Sequence, residues 1–318
     1  MTRSAGASSR FAVEEMVSGS WAEKAREILD AARVPYEKEF ALARLTTLGV
    51  GGPAAYLLRP DEVPPLAQAL EGLTDEGIPV AFLGAGSNLL VSDAGFRGVV
   101  VGFSELAGEP QVQGERVRVP AGLRLPSLVS RLTKLGLSGL EFAEGIPGTV
   151  GGSVRMNAGA FSDSLDSTVR EVTLLDRHGR VERREVRRSD FVYRGAPFVG
   201  DRAVVEAVFE LTRKDPGAVE KIVHPFREHR KRTQPQGARS SGCIWKNPPG
   251  SHAGRLVQEA GLKGTVRGGA RISEVHGNFI VNTGGATFSD VMGLADLIRE
   301  KVLKDFGVTL EMEVVVWS

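Results

Sequence analysis

Apolar residues recur at helical spacing from Trp21 to Ala32, which predicts an amphipathic helix after a start rich in Ser, Ala and Gly. The period then shortens. Residues 55–59 (AYLLR), 80–83 (VAFL) and 98–103 (GVVVGF) are short runs rich in aliphatic residues, and a helix opening near Asp61 separates the first two. A strand over 117–120 and a helix over 126–135 follow, and then comes a glycine-rich passage around 145–160 with neither period. Residues 172–176 and 181–185 flank RHGR at 177–180 and predict a hairpin, with one more strand over 204–211. The pattern changes at RKDPG, 213–217. Beyond it lie a basic helix from about Ala218 to Lys231, the loop GCIWKNP, a short helix near 255–260, a strand over 278–281, a helix from about 289 to 306 and a final strand over 310–317. No internal repeat is visible. Strands and helices in this mixed order predict an α+β protein rather than a doubly wound sheet.

A length of 318 residues suggests two domains, and the boundary falls after Arg213, giving a loose extension over 1–20, one domain over 21–213 and a second over 214–318. The single cysteine excludes an internal disulfide and is compatible with a reducing, cytoplasmic setting. No run of roughly eighteen apolar residues predicts a membrane span. A net charge of +1 gives no general attraction to nucleic acid or anionic lipid.

Two loops carry candidate chemistry. LGAGSNLL at 83–90 follows a strand, but position 89 is Leu where a dinucleotide fingerprint needs its third glycine, and GFRG at 95–98 leads to another strand rather than a helix. Such a loop can serve as a plain tight turn or as a nest of N–H groups around phosphate. GIPGTVGGSVRMNAGA at 145–160 is the second; its glycines allow close backbone approach, and Asn157 offers an amide to a ring edge or a sugar hydroxyl. One such loop is a weak signal. Two in one domain point to an extended, phosphate-bearing cofactor, a flexible surface loop being the alternative. The lone Cys243 stands in GARSSGCIWKNPPG at 237–250, near Arg239 and Lys246 and outside any long apolar run, a neighbourhood suited to a working thiol. A small buried hydrophobe is the competing reading.

Taken in order, LTTLGVGGPA at 45–54, the two glycine loops, YRG at 193–195, GCIWKNP at 242–248, AGLKG at 260–264, SEVHGNF at 273–279 and LEMEV at 310–314 resemble the UDP-N-acetylenolpyruvoylglucosamine reductases of bacterial cell-wall synthesis over about residues 36–316. The short stretch between Tyr193 and the basic helix resembles the type II subgroup. The resemblance implies an FAD-binding domain of the vanillyl-alcohol-oxidase/PCMH-like type with subdomains about 21–104 and 105–213, then an α+β substrate domain. It implies non-covalent FAD, NADPH as co-substrate, and UDP-N-acetylglucosamine enolpyruvate as the group reduced, with no protein partner. FAD would be held by Gly84, Ala85, Gly86, Ser87, Asn88 and Leu89 in the first loop. In the second it would be held by Gly145, Ile146, Gly148, Thr149, Gly151, Gly152, Asn157, Ala158 and Gly159.

The resemblance gives Arg194 the developing enolate, Glu313 the surroundings of the enolic intermediate, and Cys243 the general-acid position that the family usually fills with serine, with Ser241 as the other donor available. Tyr193, Arg230, Lys246 and Asn247 would face substrate. Val315 stands where the family often has Arg, and Glu311 shares the strand face of Glu313. An alcohol oxidase or dehydrogenase of the same broad fold is the rival enzyme, although none of His178, His224, His229, His252 or His276 lies near the first glycine loop to anchor a flavin covalently. A nucleic-acid module is the rival outside enzymology, resting on the basic run at 227–233; no aromatic platform is interleaved with it, and the histidines lack metal-ligand spacing.

Overall fold

A computed structural model describes residues 19–318, so the expected extension over 1–20 lies almost wholly outside the described residues. The first helix is Ser20–Ala32, and its apolar spacing buries Ala22, Ala25, Leu29 and Ala32. Packing separates the chain into two compact units. One comprises the described residues to Phe40, Ala55–Ala85 and Arg97–Glu228; the other comprises Ala41–Ala54, Gly86–Phe96 and His229–Ser318. The sequence reading draws a single boundary after Arg213, whereas the chain enters the second unit three times. Pairing explains the two early visits. Leu89–Val91 lies parallel to Val315–Trp317, and the Asn282 carboxamide donates to the carbonyl of Leu48 at 3.0 Å.

The first unit holds two large sheets, each with its own apolar core. Tyr36–Ala41, Pro53–Leu58, Phe96–Gly102 and Val80–Leu83 form the first in that spatial order, with the last two parallel. Helices Ser20–Ala32 and Val63–Asp75 contribute to a core that includes Leu29, Leu58, Leu70 and Val101. The second sheet is antiparallel in the order Val181–Glu185, Val169–Leu175, Ala203–Glu210, Arg116–Pro120 and Gln111–Gln113, over a core around Leu128, Val150, Leu174 and Phe209. The expected hairpin closes on Asp176, whose carboxylate accepts from the backbone N–H groups of His178 and Arg180 at 2.8 and 2.9 Å. A helix, Val150–Arg155, stands inside the glycine-rich passage. Thr149 caps it by accepting from Gly152 N–H at 3.4 Å, a signal hidden from periodicity because the helix is under two turns long.

In the second unit an antiparallel sheet runs Arg239–Cys243, Phe279–Asn282, Ala270–Ile272, Val266–Arg267. Helices Ala253–Glu259 and Phe288–Phe306 cover it, the latter opened by a reciprocal capping box between Thr287 and Asp290 and stopped by Gly307 at φ 67°. The final strand is shorter than expected. Only Val315–Trp317 joins a ladder, because residues before it run beside the Ile244–Lys246 segment through single contacts: a bridge from Met312 to Trp245 and a 2.9 Å bond from Lys246 N–H to Glu311 C=O.

Candidate active site

In the first unit the glycine loops meet where Gly84 faces Thr149. A Cβ on Gly84 would lie 2.7 Å from Thr149 Oγ1, and that hydroxyl is buried on a helix cap. The backbone N–H groups of Gly84 and Ala85 make no hydrogen bond to protein among the described residues. Gly145 and Gly148 sit at φ 71° and 135°, conformations that L side chains rarely adopt. Bare backbone, positive-φ turns and unengaged amides make a cradle that fits the phosphate-bearing part of a dinucleotide cofactor.

Other loop residues have structural work instead. The amides of Val150 and Gly151 donate to the carbonyls of Leu123 and Ala121, both at 2.9 Å, so the helix start offers no free donor there to an anion. Gly151 is a packing glycine, since a Cβ would come within 2.7 Å of Ala121 Cβ and 2.9 Å of Val204 O. Gly159 is a hairpin glycine pressed on Asp163 O, and Ala158 exchanges backbone bonds with Ser153 and Leu165. Ile146 packs on the adjacent core. Asn157, expected to read the cofactor, is 3% exposed; its Nδ2 donates to Val192 O and its Oδ1 accepts from Asp166 N–H, both at 3.1 Å. Its carboxamide therefore holds the next site element rather than reaching outward.

That element is the turn Val192–Gly195, whose end residues exchange both backbone bonds at 3.0 and 3.1 Å. Tyr193 and Arg194 form its tip. Arg194 takes φ 58°, a strained choice for a non-glycine residue, on the order of 1–3 kcal/mol, and its guanidinium lies 5.1 Å from the centroid of the exposed Tyr193 ring.

In the second unit Gly86 is fixed by packing, because a Cβ would fall 2.3 Å from Leu45 O; Thr47 N–H donates to its carbonyl at 3.1 Å. Ser87 and Asn88 are half-buried and Leu89 enters the short parallel pair. Asn88 turns inward: its Nδ2 donates to Glu313 O at 3.0 Å, and its own carbonyl accepts from Val315 N–H at 3.1 Å. Glu313 N–H in turn donates to Ile244 O at 2.8 Å, so Cys243–Ile244 and Glu313 are neighbouring pieces of backbone. The register of Arg239–Cys243 against Phe279–Asn282 slips between Ser240 and Cys243, where Gly242 adopts φ 77°. The slip has a chemical consequence. Ser241 points into the core, 2% exposed with its Oγ unpartnered, whereas Cys243 is brought half out of it.

Three expected substrate residues have partners of their own. Lys246 Nζ pairs with the Glu311 carboxylate, and Asn247 Oδ1 accepts from Ala253 N–H at 3.0 Å, capping the helix Ala253–Glu259. Arg230, near the end of the basic helix Pro216–Thr233, donates to Gln234 Oε1 at 3.1 Å. Sequence reasoning missed Asn278. It is 3% exposed and binds Trp245 on both sides, accepting from its N–H at 2.9 Å and donating to its C=O at 2.8 Å. A polar residue at the head of the apolar strand Phe279–Asn282 is the signal that could have found it.

Residues 54–184 match the FAD binding domain family, and residues 234–317 match the C-terminal domain of UDP-N-acetylenolpyruvoylglucosamine reductase. The chain is 42% identical to UDP-N-acetylenolpyruvoylglucosamine reductase 2 of Symbiobacterium thermophilum over 93% of its own length and 96% of that protein. The chain belongs to the UDP-N-acetylenolpyruvoylglucosamine reductase family. Another reductase, from Bacillus subtilis, is 40% identical across 86% of this chain and 91% of its own. The crystal structure of the reductase (MurB) from Thermus caldophilus superposes with a TM-score of 0.77 at 36% identity, covering 90% of this chain and 99% of that one. A reductase of this family carries the α+β architecture described above, with an FAD-binding region followed by its own C-terminal domain. Among the described residues no helix is long and apolar enough to cross a membrane, and no cluster of His, Cys, Asp and Glu could hold a metal ion.

Proposed function

We propose that Cys243 is the proton donor, Arg194 the enolate-stabilising cation and Glu313 the carboxylate beside the enolic intermediate in reduction of UDP-N-acetylglucosamine enolpyruvate to UDP-N-acetylmuramate. FAD, held at Gly84, Ala85, Gly145 and Gly148, would supply the redox chemistry that carries hydride from NADPH to the CH2 carbon of the enolpyruvyl group. The residues of this chain do the rest. Negative charge then spreads onto the substrate carboxylate, where a fixed guanidinium lowers the barrier and matches a planar carboxylate in two bonds. The adjacent carbon needs a proton, and a thiol, with a reference pKa of about 8.5, still carries one near neutrality. The domain over 21–213 has the cofactor role in this reading, through Gly84, Ala85, Gly145 and Gly148, and the domain over 214–318 the substrate role. The type II assignment belongs to the same reading, as does a cytoplasmic setting.

The observation that carries the assignment of Cys243 is the slip at Gly242. It withdraws Ser241, the competing donor, into the core and leaves Cys243 half-exposed beside the backbone of Glu313. Single-turnover kinetics test it. Cys243→Ala should keep NADPH-driven flavin reduction and lose reoxidation by the enolpyruvyl substrate, while Cys243→Ser retains a hydroxyl donor and keeps part of it. Reoxidation of the Ala variant near the wild-type rate would remove the thiol from the mechanism.

A further inference from the structure

Asn278 lies in none of the loops given a chemical role above, yet it is bonded through three groups to the segment behind the candidate donor. Three of its polar groups meet the segment that follows Cys243. Its carbonyl accepts from Ile244 N–H at 2.9 Å, its Oδ1 accepts from Trp245 N–H at 2.9 Å, and its Nδ2 donates to Trp245 C=O at 2.8 Å. Asn278 itself is anchored from the other side, where its N–H donates to His276 Nδ1 at 3.1 Å. Trp245 is fully buried, so these bonds are shielded from competing water. Strand pairing supplies the Ile244 bond but not the two to Trp245, because after the slip at Gly242 only the Cys243–Phe279 pair remains in register. Ile244 C=O then receives Glu313 N–H at 2.8 Å. One carboxamide thus bridges the place where strand pairing ends and both candidate catalytic residues begin.

We infer that Asn278 is a positioning residue for proton delivery, its carboxamide holding the Cys243–Trp245 segment, and through Ile244 the backbone of Glu313, in the register the reaction needs. The inference rests on the assignment of Cys243 and Glu313 made above. The amide is the side chain that suits the position: aspartate of the same size would keep an acceptor for Trp245 N–H but set a carboxylate oxygen against Trp245 C=O, and alanine would leave both backbone groups buried without partners.

The test uses Asn278→Ala and Asn278→Asp in the full-length holoenzyme, the Asp variant being near-isosteric should the Ala variant fold poorly. Both should bind FAD, and NADPH should reduce the flavin within about twofold of wild type. Reoxidation by the enolpyruvyl substrate should fall by roughly tenfold or more, the scale of a lost buried hydrogen bond expressed in the barrier. Two readouts stand apart from turnover. Alkylation of Cys243, the sole cysteine, by iodoacetamide should change rate and lose its protection by substrate, and the amides of Ile244 and Trp245 should exchange hydrogen faster. Unchanged reoxidation in Asn278→Asp, or equal slowing of both half-reactions, would overturn the inference. Failure of the wild-type flavin to be reoxidised by the substrate would instead remove the underlying reading, with the hydrogen-exchange result still deciding whether Asn278 holds the segment.

Discussion

Arg194 is the residue at which backbone and chemistry disagree most openly. Its φ of 58° would suit glycine, yet a guanidinium is kept there on a two-residue tip whose leading flank, Val192, is tied by Asn157. Arg194→Ala should leave FAD content and NADPH-driven flavin reduction intact and slow reoxidation by substrate by roughly two orders of magnitude, equivalent to about 3 kcal/mol of lost charge stabilisation. Slowing confined to the NADPH half-reaction would refute the role. Arg194→Gly is the useful companion, because it removes the strain along with the charge: thermal stability at or above that of the Ala variant, with the same kinetic loss, would separate the two. Gly152 stands beside the cradle, its Cα 3.8 Å from where a Cβ on Gly84 would lie, and provides its residue-scale probe. Gly148→Val would strain the backbone at φ 135° whatever is bound, whereas a Cβ on Gly152 meets only Thr149 Oγ1 at 3.4 Å. Gly152→Ala should therefore fold normally and lose FAD; full flavin content measured by absorbance would move the cofactor elsewhere.

Among the elements, the helix Pro216–Thr233 grips the second glycine loop at both ends. Arg227 donates to Glu144 Oε1 at 2.9 Å, just before Gly145, and Phe226 stacks on Phe161 at 4.3 Å between centroids, just after Ala160. The Glu144 hydrogen bond, reinforced by Glu220, raises the Arg227 pKa, so the guanidinium keeps its charge. The stack is worth roughly 0.5–1.5 kcal/mol beyond its area. Phe226→Ala should weaken FAD binding several-fold in an equilibrium titration while leaving the rate of the holoenzyme's chemical step nearly unchanged. The basic run at 227–233 was legible as a helix but not as this clamp, since nothing in its period says that Glu144, distant in sequence, would be the partner. The strand at Arg239–Cys243 was hidden for a related reason: its alternation is interrupted by the slip at Gly242, so its residues carry no clean period of two.

For the whole molecule, stability should fall on acidification in two stages. Burial, with the nearby Lys263 charge second, lowers the His276 pKa from 6.5; the folded state thus resists a proton that the unfolded chain accepts, and stability present at neutral pH is lost as pH drops below about 6.5. Protonation would also break the 3.1 Å bond from Asn278 N–H to Nδ1. At Asp176 burial pushes the pKa up, but bonds from Arg180 and His178 outweigh it and hold it below 3.8; at Asp290 the backbone bond from Thr287 leads the same downward shift. Their contribution is present above about 3.8 and is lost below it. Thermal melts from pH 7 to 3 should resolve both stages, and His276→Gln, which keeps an acceptor for Asn278 N–H, should flatten the first while sparing the second. An unchanged slope between pH 7 and 5 in that variant would count against His276.

By itself the sequence determined the periodic elements, because a helix or strand with one buried face must repeat its apolar residues at 3.6 or 2. It also determined the order of motifs that marks the family, and the lone thiol in its loop. Only the tertiary structure decided which glycines leave room for a ligand and which leave room for protein: Gly84 with unengaged amides beside it, against Gly151 on Ala121 and Gly86 on Leu45. It likewise decided that Asn88, Asn157, Lys246 and Asn247 would be engaged by Glu313, Val192, Glu311 and Ala253, and that Asn278 would bind Trp245. The reason is the same in each case. A hydrogen-bonding side chain carries no periodicity, and its partner is set by which distant strands and turns the packing brings alongside.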